Sequence, residues 1–144
     1  MTHEARVLII DDNVNLAGGF ALALERVGYD VVVAHTAADG LRLATERPPD
    51  AILLDFQMPF VNGVGFLYRL RQLPGLCDVS VMVITGATVN QETLADLQEL
   101  NASLRFKPVA LLQLLEETHA LVAARDSSQT LSVKEGIRSA AGPA

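Results

Sequence analysis

The sequence is poor in cysteine, in long apolar runs and in clustered basic residues. Its one cysteine, Cys77, cannot form an internal disulfide and has no metal-ligand pattern beside it. We therefore predict a buried or half-buried thiol without a function. No apolar run approaches the length of a membrane helix. Residues 1–6 lack the basic start and apolar stretch of a secretory signal, which favours a cytoplasmic location.

Basic residues are scattered along the chain rather than gathered in one segment. The 11 lysines and arginines are outnumbered by 17 aspartates and glutamates, which gives a formal net charge of −6 and a pI near 4.9. A protein that binds nucleic acid must neutralise several phosphates and needs a basic face to do so. We therefore expect neither direct nucleic-acid binding nor a membrane partner.

The apolar content is sufficient for one hydrophobic core, since 50% of the 144 residues are hydrophobic. A chain of this length usually forms a single domain. We place that domain at residues 1–125. From residue 126 the sequence becomes small and polar and loses its periodicity, so residues 126–144 are predicted to be a mostly flexible tail.

Hydrophobic periodicity alternates between strand and helix throughout the predicted domain. Residues 6–10 form an apolar, β-branched run that suits a strand buried on both faces. Residues 16–27 carry apolar side chains at helical spacing, and Gly28 follows where a helix C-cap is expected. The alternation continues with strands at 31–34, 51–54, 79–84 and 103–106 and helices at 37–46, 64–72, 91–100 and 109–124. This pattern predicts an α/β fold with a doubly wound five-stranded parallel sheet and five helices, a flavodoxin-like sandwich.

Polar side chains follow four of the predicted strands at the point where each strand ends. Ligands of an open parallel sheet bind in the crevice at the carboxyl ends of the strands. The residues at these ends are Asp11, Asp12, Asp55, Thr85 and Lys107. Each of them alone also fits an ordinary role as a turn former, a helix N-cap or a solvated lysine. The joint arrangement favours a single phosphoryl site.

Three clustered carboxylates would repel one another and need a cation to remain ionised together. Ligation by oxygen alone selects Mg²⁺ or a similar hard ion. With the metal bound, Asp55 could act as a nucleophile toward phosphorus while Lys107 and the metal offset the charge on the transferring oxygens. Thr85 could then donate a hydrogen bond to a phosphoryl oxygen.

Four segments resemble the signature segments of the receiver domains of bacterial two-component response regulators. They are Val-Leu-Ile-Ile-Asp-Asp, Ile-Leu-Leu-Asp-Phe-Gln-Met-Pro, Val-Ile-Thr-Gly-Ala and Phe-Lys-Pro, in family order and at family-like spacing. The resemblance extends from residue 6 to about residue 125. It implies that Asp55 is the phosphorylated residue and that Asp11 and Asp12 are the acidic pair that holds Mg²⁺. It further implies that the Gln57 backbone carbonyl completes the metal shell.

The resemblance also implies partners and roles in signalling. Thr85 would be the switch hydroxyl and Lys107 the lysine typical of the family. A sensor histidine kinase or a histidine phosphotransfer protein would supply the phosphoryl group, and phosphorylation would switch contacts with a downstream protein. Such a domain is not an enzyme beyond catalysing its own phosphoryl uptake and dephosphorylation. We expect no effector domain in this chain.

The sequence departs from the usual pattern of the family in two respects, the first at Leu104 and the second at Gln57 and Ala87. Receivers usually carry an aromatic residue three positions before the lysine, where this chain has Leu104. We therefore expect Leu104 to transmit the switch of Thr85 by packing rather than by ring rotation. Gln57 and Ala87 occupy the sites that in this family influence the dephosphorylation rate. Ala87 has no polar group to orient an attacking water, so nothing favours unusually fast hydrolysis.

Two alternative functions remain open at the level of sequence. A Mg²⁺-dependent phosphohydrolase with an aspartate nucleophile uses the same residue types. Such an enzyme normally has a second carboxylate two residues after the nucleophile, as a general acid. At that spacing Gln57 follows Asp55 and Asn13 follows Asp11. No cap domain for a small substrate is evident either. The other alternative is a pseudo-receiver that is never phosphorylated, against which the complete set of five site residues argues.

The predicted last helix, 109–124, carries a wide apolar face. Leu114 and Leu121 lie together at one edge of that face. We predict that they form an exposed strip that binds a partner or a second copy of the chain, which would give a homodimer. The alternative is that the sheet and the tail bury the whole face, since core helices are often this apolar.

Overall fold

The computed structural model describes residues 4–58 and 61–124, in which five strands alternate with five helices. The strands are β1 Arg6–Ile10, β2 Asp30–Ala34, β3 Ala51–Asp55, β4 Ser80–Thr85 and β5 Ala102–Phe106. The helices are α1 Val14–Arg26, α2 Ala37–Glu46, α3 Gly63–Gln72, α4 Gln91–Glu99 and α5 at residues 111–124. The tail predicted for residues 126–144 lies outside the described residues.

All five strands belong to one parallel sheet with the order β2-β1-β3-β4-β5. Parallel neighbours require crossover connections, which the helices supply. The register places Ile10 opposite Leu54 and Asp55 opposite Ile84, so β1, β3 and β4 end at nearly the same level. We call this end of the sheet the carboxyl edge. The predicted doubly wound α/β sandwich is confirmed.

The strand side chains alternate between two apolar layers, one on each face of the sheet. The layer on the side of α2, α3 and α4 contains Leu8, Leu54 and Phe66. The layer on the side of α1 and α5 contains Ile9 and Leu114. Because helices cover both faces, the central strand β3 is buried along its whole length.

Four helices begin at a side chain that caps their first turn. Each capping oxygen accepts a hydrogen bond from a backbone N–H two or three residues further on, and the caps are Asn13, Thr36, Asn62 and Asn90. The sequence prediction placed the starts of α1 and α3 at residues 16 and 64, later than the observed Val14 and Gly63. The predicted starts, Leu16 and Val64, are side chains that pack against the core, whereas each helix begins directly after its capping residue.

The exposed strip predicted on the last helix is wrong. Leu114 is 0% exposed, and Leu121 is partly buried against the same apolar layer. The buried stripe of α5 passes through Leu114, Thr118 and Leu121, which are spaced as successive turns on one helix face. The large apolar side chains that α5 exposes are instead Leu111 and Leu112. The width of an apolar face does not reveal which of its edges meets the sheet.

The prediction of a buried or half-buried Cys77 is also wrong, because this side chain is exposed. It lies in the connection between α3 and β4, where connecting segments run over the surface. Leu76 and Val79, on either side of it, are fully buried and provide the apolar contacts of this connection. No helix among the described residues is long and apolar enough to cross a membrane.

Candidate functional site

Three carboxylates meet at the carboxyl edge. Asp55 is the last residue of β3, and Asp11 and Asp12 follow the neighbouring strand β1. One oxygen from each lies within 4.8 Å of the other two. Asp11 and Asp55 are 4% and 6% exposed, whereas Asp12 is open to solvent. The cluster therefore consists of two buried acids and one at the surface.

Backbone amides orient the two buried carboxyl groups. The Asn13 N–H donates to Asp11 Oδ1 at 2.9 Å, and the Gln57 N–H donates to Asp55 Oδ1 at 3.0 Å. In both turns an aspartate side chain accepts from the amide two residues further on, which is a common local arrangement for this residue type. Asn13 is also the N-cap of α1, so the turn that fixes Asp11 also starts the helix.

Lys107 provides a positive charge beside the acids. Its Nζ lies 3.4 Å from Asp55 Oδ1, and its side chain is 26% exposed. The Lys107 backbone N–H donates to the Thr85 carbonyl oxygen at 2.8 Å, which continues the pairing of β4 and β5 past Phe106. This extension of the sheet holds the lysine at the carboxyl edge.

Burial raises the pKa of Asp11 from its usual 3.8 to about 6. Loss of hydration is the largest cause, because the charged form of a carboxyl group is the form that water stabilises most. The hydrogen bond from the Asn13 N–H lowers the pKa, and the negative charge of Asp55 raises it further. A positive charge nearby would therefore favour the ionised form of Asp11 and lower its pKa.

Thr85 ends β4 and is 2% exposed. Its hydroxyl oxygen accepts a hydrogen bond from the Ala87 N–H at 3.2 Å. The Phe56 N–H donates to the Ile84 carbonyl oxygen at 3.0 Å, so β3 and β4 remain bonded up to the point where the acidic cluster begins. Thr85 therefore sits on a strand that is tied directly to the strand of Asp55.

The Gln57 side chain makes a contact that the sequence analysis did not predict. Its Oε1 accepts a hydrogen bond from the Gly86 N–H at 2.8 Å. A Cβ built at Gly86 would lie 2.9 Å from that oxygen. The absence of a side chain directly after Thr85 was the available sequence signal, but the partner is 29 positions away in sequence.

Leu104 lies in the middle of β5, opposite Val83 of β4, and packs partly buried against the layer beneath α2, α3 and α4. Phe106 is the residue opposite Thr85, and it is 55% exposed. The structure therefore places Leu104 in the core layer below the carboxyl edge. Its role as a switch residue stays a prediction.

His35 is a residue of this edge that sequence reasoning missed. It follows β2, and its Nδ1 lies 2.9 Å from the Asp11 carbonyl oxygen. The rule that selects polar residues just past each strand would have identified it, had it also been applied to β2.

A family model described as the response regulator receiver domain matches residues 7–119. The chain belongs to this family. The matched span contains every polar residue that was predicted at the carboxyl edge: Asp11, Asp12, Asp55, Thr85 and Lys107. Residues 7–119 of this chain are therefore a receiver domain of the two-component response regulators.

Similar proteins include longer transcriptional regulators. The receiver is 34% identical over 127 residues to the transcriptional regulatory protein PrrA of Mycobacterium tuberculosis, covering 88% of this chain and 54% of PrrA. It is 31% identical over 121 residues to the DNA-binding dual master transcriptional regulator RpaA of Synechocystis, covering 84% of this chain and 50% of RpaA. The chain thus spans about half the length of the curated relatives it matches.

Solved structures share the fold of this receiver. A CheY-like receiver domain protein from Methanospirillum hungatei has a TM-score of 0.80 at 24% identity, covering 88% of this chain and 99% of that one. The chemotaxis protein CheY4 of Vibrio cholerae has a TM-score of 0.76 at 23% identity, covering 83% of this chain and 99% of that one. At these identities the likeness concerns the fold alone.

Proposed function

We propose that this receiver accepts a phosphoryl group on Asp55 in a Mg²⁺-dependent reaction and thereby switches its contacts with other proteins. The observation that carries the proposal is the position of Asp55. This carboxyl group is buried beside Asp11 and lies 3.4 Å from the Lys107 ammonium, at the edge of the sheet where ligands of such folds bind.

The residues at the carboxyl edge fit a Mg²⁺ ion. Magnesium prefers oxygen ligands, and one oxygen from each of Asp11, Asp12 and Asp55 falls within 4.8 Å of the others. The raised pKa of Asp11 supports the same fit, because a nearby cation would favour its ionised form. These three residues and the Gln57 backbone carbonyl would hold the ion. When bound, it would supply positive charge next to the oxygens of a transferring phosphoryl group.

Asp55 is the nucleophile of the proposed transfer. One of its carboxylate oxygens attacks the phosphorus of a phosphohistidine, the phosphorus–nitrogen bond breaks, and the imidazole leaves with the electron pair of that bond. The product is an aspartyl phosphate. The Gln57 N–H holds Asp55 Oδ1 in a fixed orientation, and Lys107 offsets the negative charge that accumulates at this edge.

The donor in this proposal is a sensor histidine kinase or a histidine phosphotransfer protein, which places the reaction in the cytoplasm. The output is a change in binding to a downstream protein. Thr85 and Leu104 are the proposed switch residues, since Thr85 ends the strand next to Asp55 and Leu104 packs below it on β5. PrrA and RpaA are named as transcriptional regulators, which is an output of the same signalling class.

Intact-mass analysis after incubation with acetyl phosphate and Mg²⁺ tests the proposal. The wild type should gain one phosphoryl group that hydroxylamine removes, and Asp55→Ala should gain none. Asp39→Asn, which changes an exposed carboxylate on α2, should be labelled like the wild type. Equal labelling of Asp55→Ala would contradict the proposal, and no labelling of any variant would indicate a pseudo-receiver. Sustained hydrolysis of simple phosphate esters would indicate the phosphohydrolase.

A further inference from the structure

A side-chain bridge joins two loops next to the acceptor carboxylate. Gln57 lies two positions after Asp55, and its Oε1 accepts from the Gly86 N–H at 2.8 Å. Gly86 directly follows Thr85, the last residue of β4, and β4 is the sheet neighbour of β3. The Gln57–Gly86 bridge therefore connects the loop after β3 to the loop after β4.

The bridge explains why position 86 is a glycine. Gly86 does not adopt a positive φ, so its backbone conformation does not require the absence of a side chain. The nearby Gln57 side chain instead requires the absence of a side chain at position 86, because a Cβ there would lie 2.9 Å from Gln57 Oε1. The next nearest side-chain atom outside Gln57 is Lys107 Cβ at 3.9 Å, which is ordinary contact. An alanine here would therefore displace the exposed Gln57 carboxamide and little else.

The Gly86 N–H lies one residue past the end of β4, the strand that pairs with the strand of Asp55. Backbone N–H groups at strand ends are common donors to bound phosphates and to oxygens that carry negative charge. Phosphorylation of Asp55 would bring three strong acceptor oxygens to the carboxyl edge. The side-chain Oε1 of Gln57 already accepts the hydrogen bond of the Gly86 N–H, so Oε1 and a phosphoryl oxygen would compete for this donor.

We propose that Gln57 acts as a latch that must release the Gly86 N–H before this donor can bind the phosphoryl group on Asp55. The inference rests on the proposed phosphorylation of Asp55 and adds a positioning role for the Gln57 side chain. Only molecules in which Gln57 has released the Gly86 N–H can use this donor. The apparent affinity for the phosphoryl group is therefore reduced in proportion to the fraction of molecules in that state. The net strength of one neutral hydrogen bond corresponds to a factor of about five.

The first measurement concerns the bridge in the unphosphorylated protein. Hydrogen exchange of the position 86 amide, followed by NMR, should be about fivefold faster in Gln57→Ala and in Gly86→Ala than in the wild type. Gln98→Ala, which alters an exposed glutamine on α4, should leave this rate unchanged. Equal exchange rates in the wild type and in both bridge variants would overturn the latch.

The second measurement uses beryllofluoride with Mg²⁺ as a mimic of the phosphoryl group. Gln57→Ala and Gly86→Ala should each bind it about fivefold more tightly than the wild type, since each frees the same donor. The double variant should bind no more tightly than either single variant, because the two changes remove one contact. Unchanged or weaker binding in both single variants, or an additive gain in the double variant, would contradict the latch but not the proposed function.

The two proposals fail in different ways. If the wild type binds no beryllofluoride and takes no phosphoryl group from acetyl phosphate, the proposed function is wrong and the latch falls with it. If the wild type is phosphorylated on Asp55 but the bridge variants behave like the Gln98→Ala control, only the latch is wrong.

Discussion

Replacing the buried Asp11 by asparagine should stabilise the metal-free domain near neutral pH. Asp11 is 4% exposed, and burial raises its pKa from 3.8 to about 6. A raised pKa means that the folded state binds the proton more tightly than the unfolded chain does. The stabilising contribution of this group is therefore fully present below about pH 4 and is lost as the pH rises through 6. Above that pH the fold carries a buried charge.

The size of the expected stabilisation by Asp11→Asn follows from the shift of the Asp11 pKa. About two pKa units correspond to about 3 kcal/mol of free energy of unfolding. Asparagine removes the charge and keeps an oxygen that can accept the hydrogen bond from the Asn13 N–H, which Asp11 accepts at 2.9 Å. We therefore expect Asp11→Asn to gain up to about 3 kcal/mol above pH 7 and about a third of that near pH 4.5.

Urea unfolding in the presence of a chelator, measured across this pH range, would check the expectation. Asp12→Asn is the matched control, because Asp12 is the neighbouring acid but is open to solvent. It should change the free energy of unfolding by less than about 0.5 kcal/mol. A gain of equal size at about pH 4.5 and about pH 7.5, or a loss above pH 7, would refute the reasoning from buried charge.

Two further predictions concern packing and are also tested by urea unfolding. Thr118 is 0% exposed, and its hydroxyl has no hydrogen-bond partner among the described residues, so Thr118→Val should stabilise the fold by about 1 kcal/mol; a clear loss would reveal a partner for the hydroxyl. A Cβ at Gly63 would lie 2.1 Å from the Phe56 ring, so Gly63→Ala should destabilise by about 1 to 3 kcal/mol. Gly18→Ala, with open space around it on α1, should instead be neutral or stabilising.

The order of elements and the clustering of the acids at the carboxyl edge were predictable from the sequence for a simple reason. Apolar runs such as residues 7–10 and 51–54 are too continuous for a half-exposed strand, so they indicate a sheet that is covered on both faces. Parallel strands then bring their carboxyl ends to one edge. The proximity of Asp11 and Asp55 follows from this geometry, although 44 positions separate them in sequence.

Features that depend on side-chain packing between distant elements were not predictable. The helical spacing of Leu114 and Leu121 gave the width of an apolar face but not its orientation, and the structure turns it toward the sheet. The Gln57–Gly86 bridge requires the exact relation of two loops, which no local pattern encodes. The pKa of Asp11 likewise depends on burial that only the folded chain defines.

At the carboxyl edge, an expected stability cost coincides with the proposed Mg²⁺ site. The expected cost of ionising Asp11 reaches about 3 kcal/mol of unfolding free energy above pH 7, and the Lys107 ammonium lies 3.4 Å from Asp55 Oδ1. A change to asparagine would remove this cost but also one of the three oxygen anions at the edge. A buried acid that costs stability is a frequent sign of a functional site. If Mg²⁺ binds among these oxygens, its binding free energy adds to the stability of the fold by mass action. Asp11 would then lower the free energy of unfolding of the metal-free domain and, as a ligand, raise it when Mg²⁺ is bound. The stability of this receiver would therefore depend on the same cation as the proposed phosphoryl transfer.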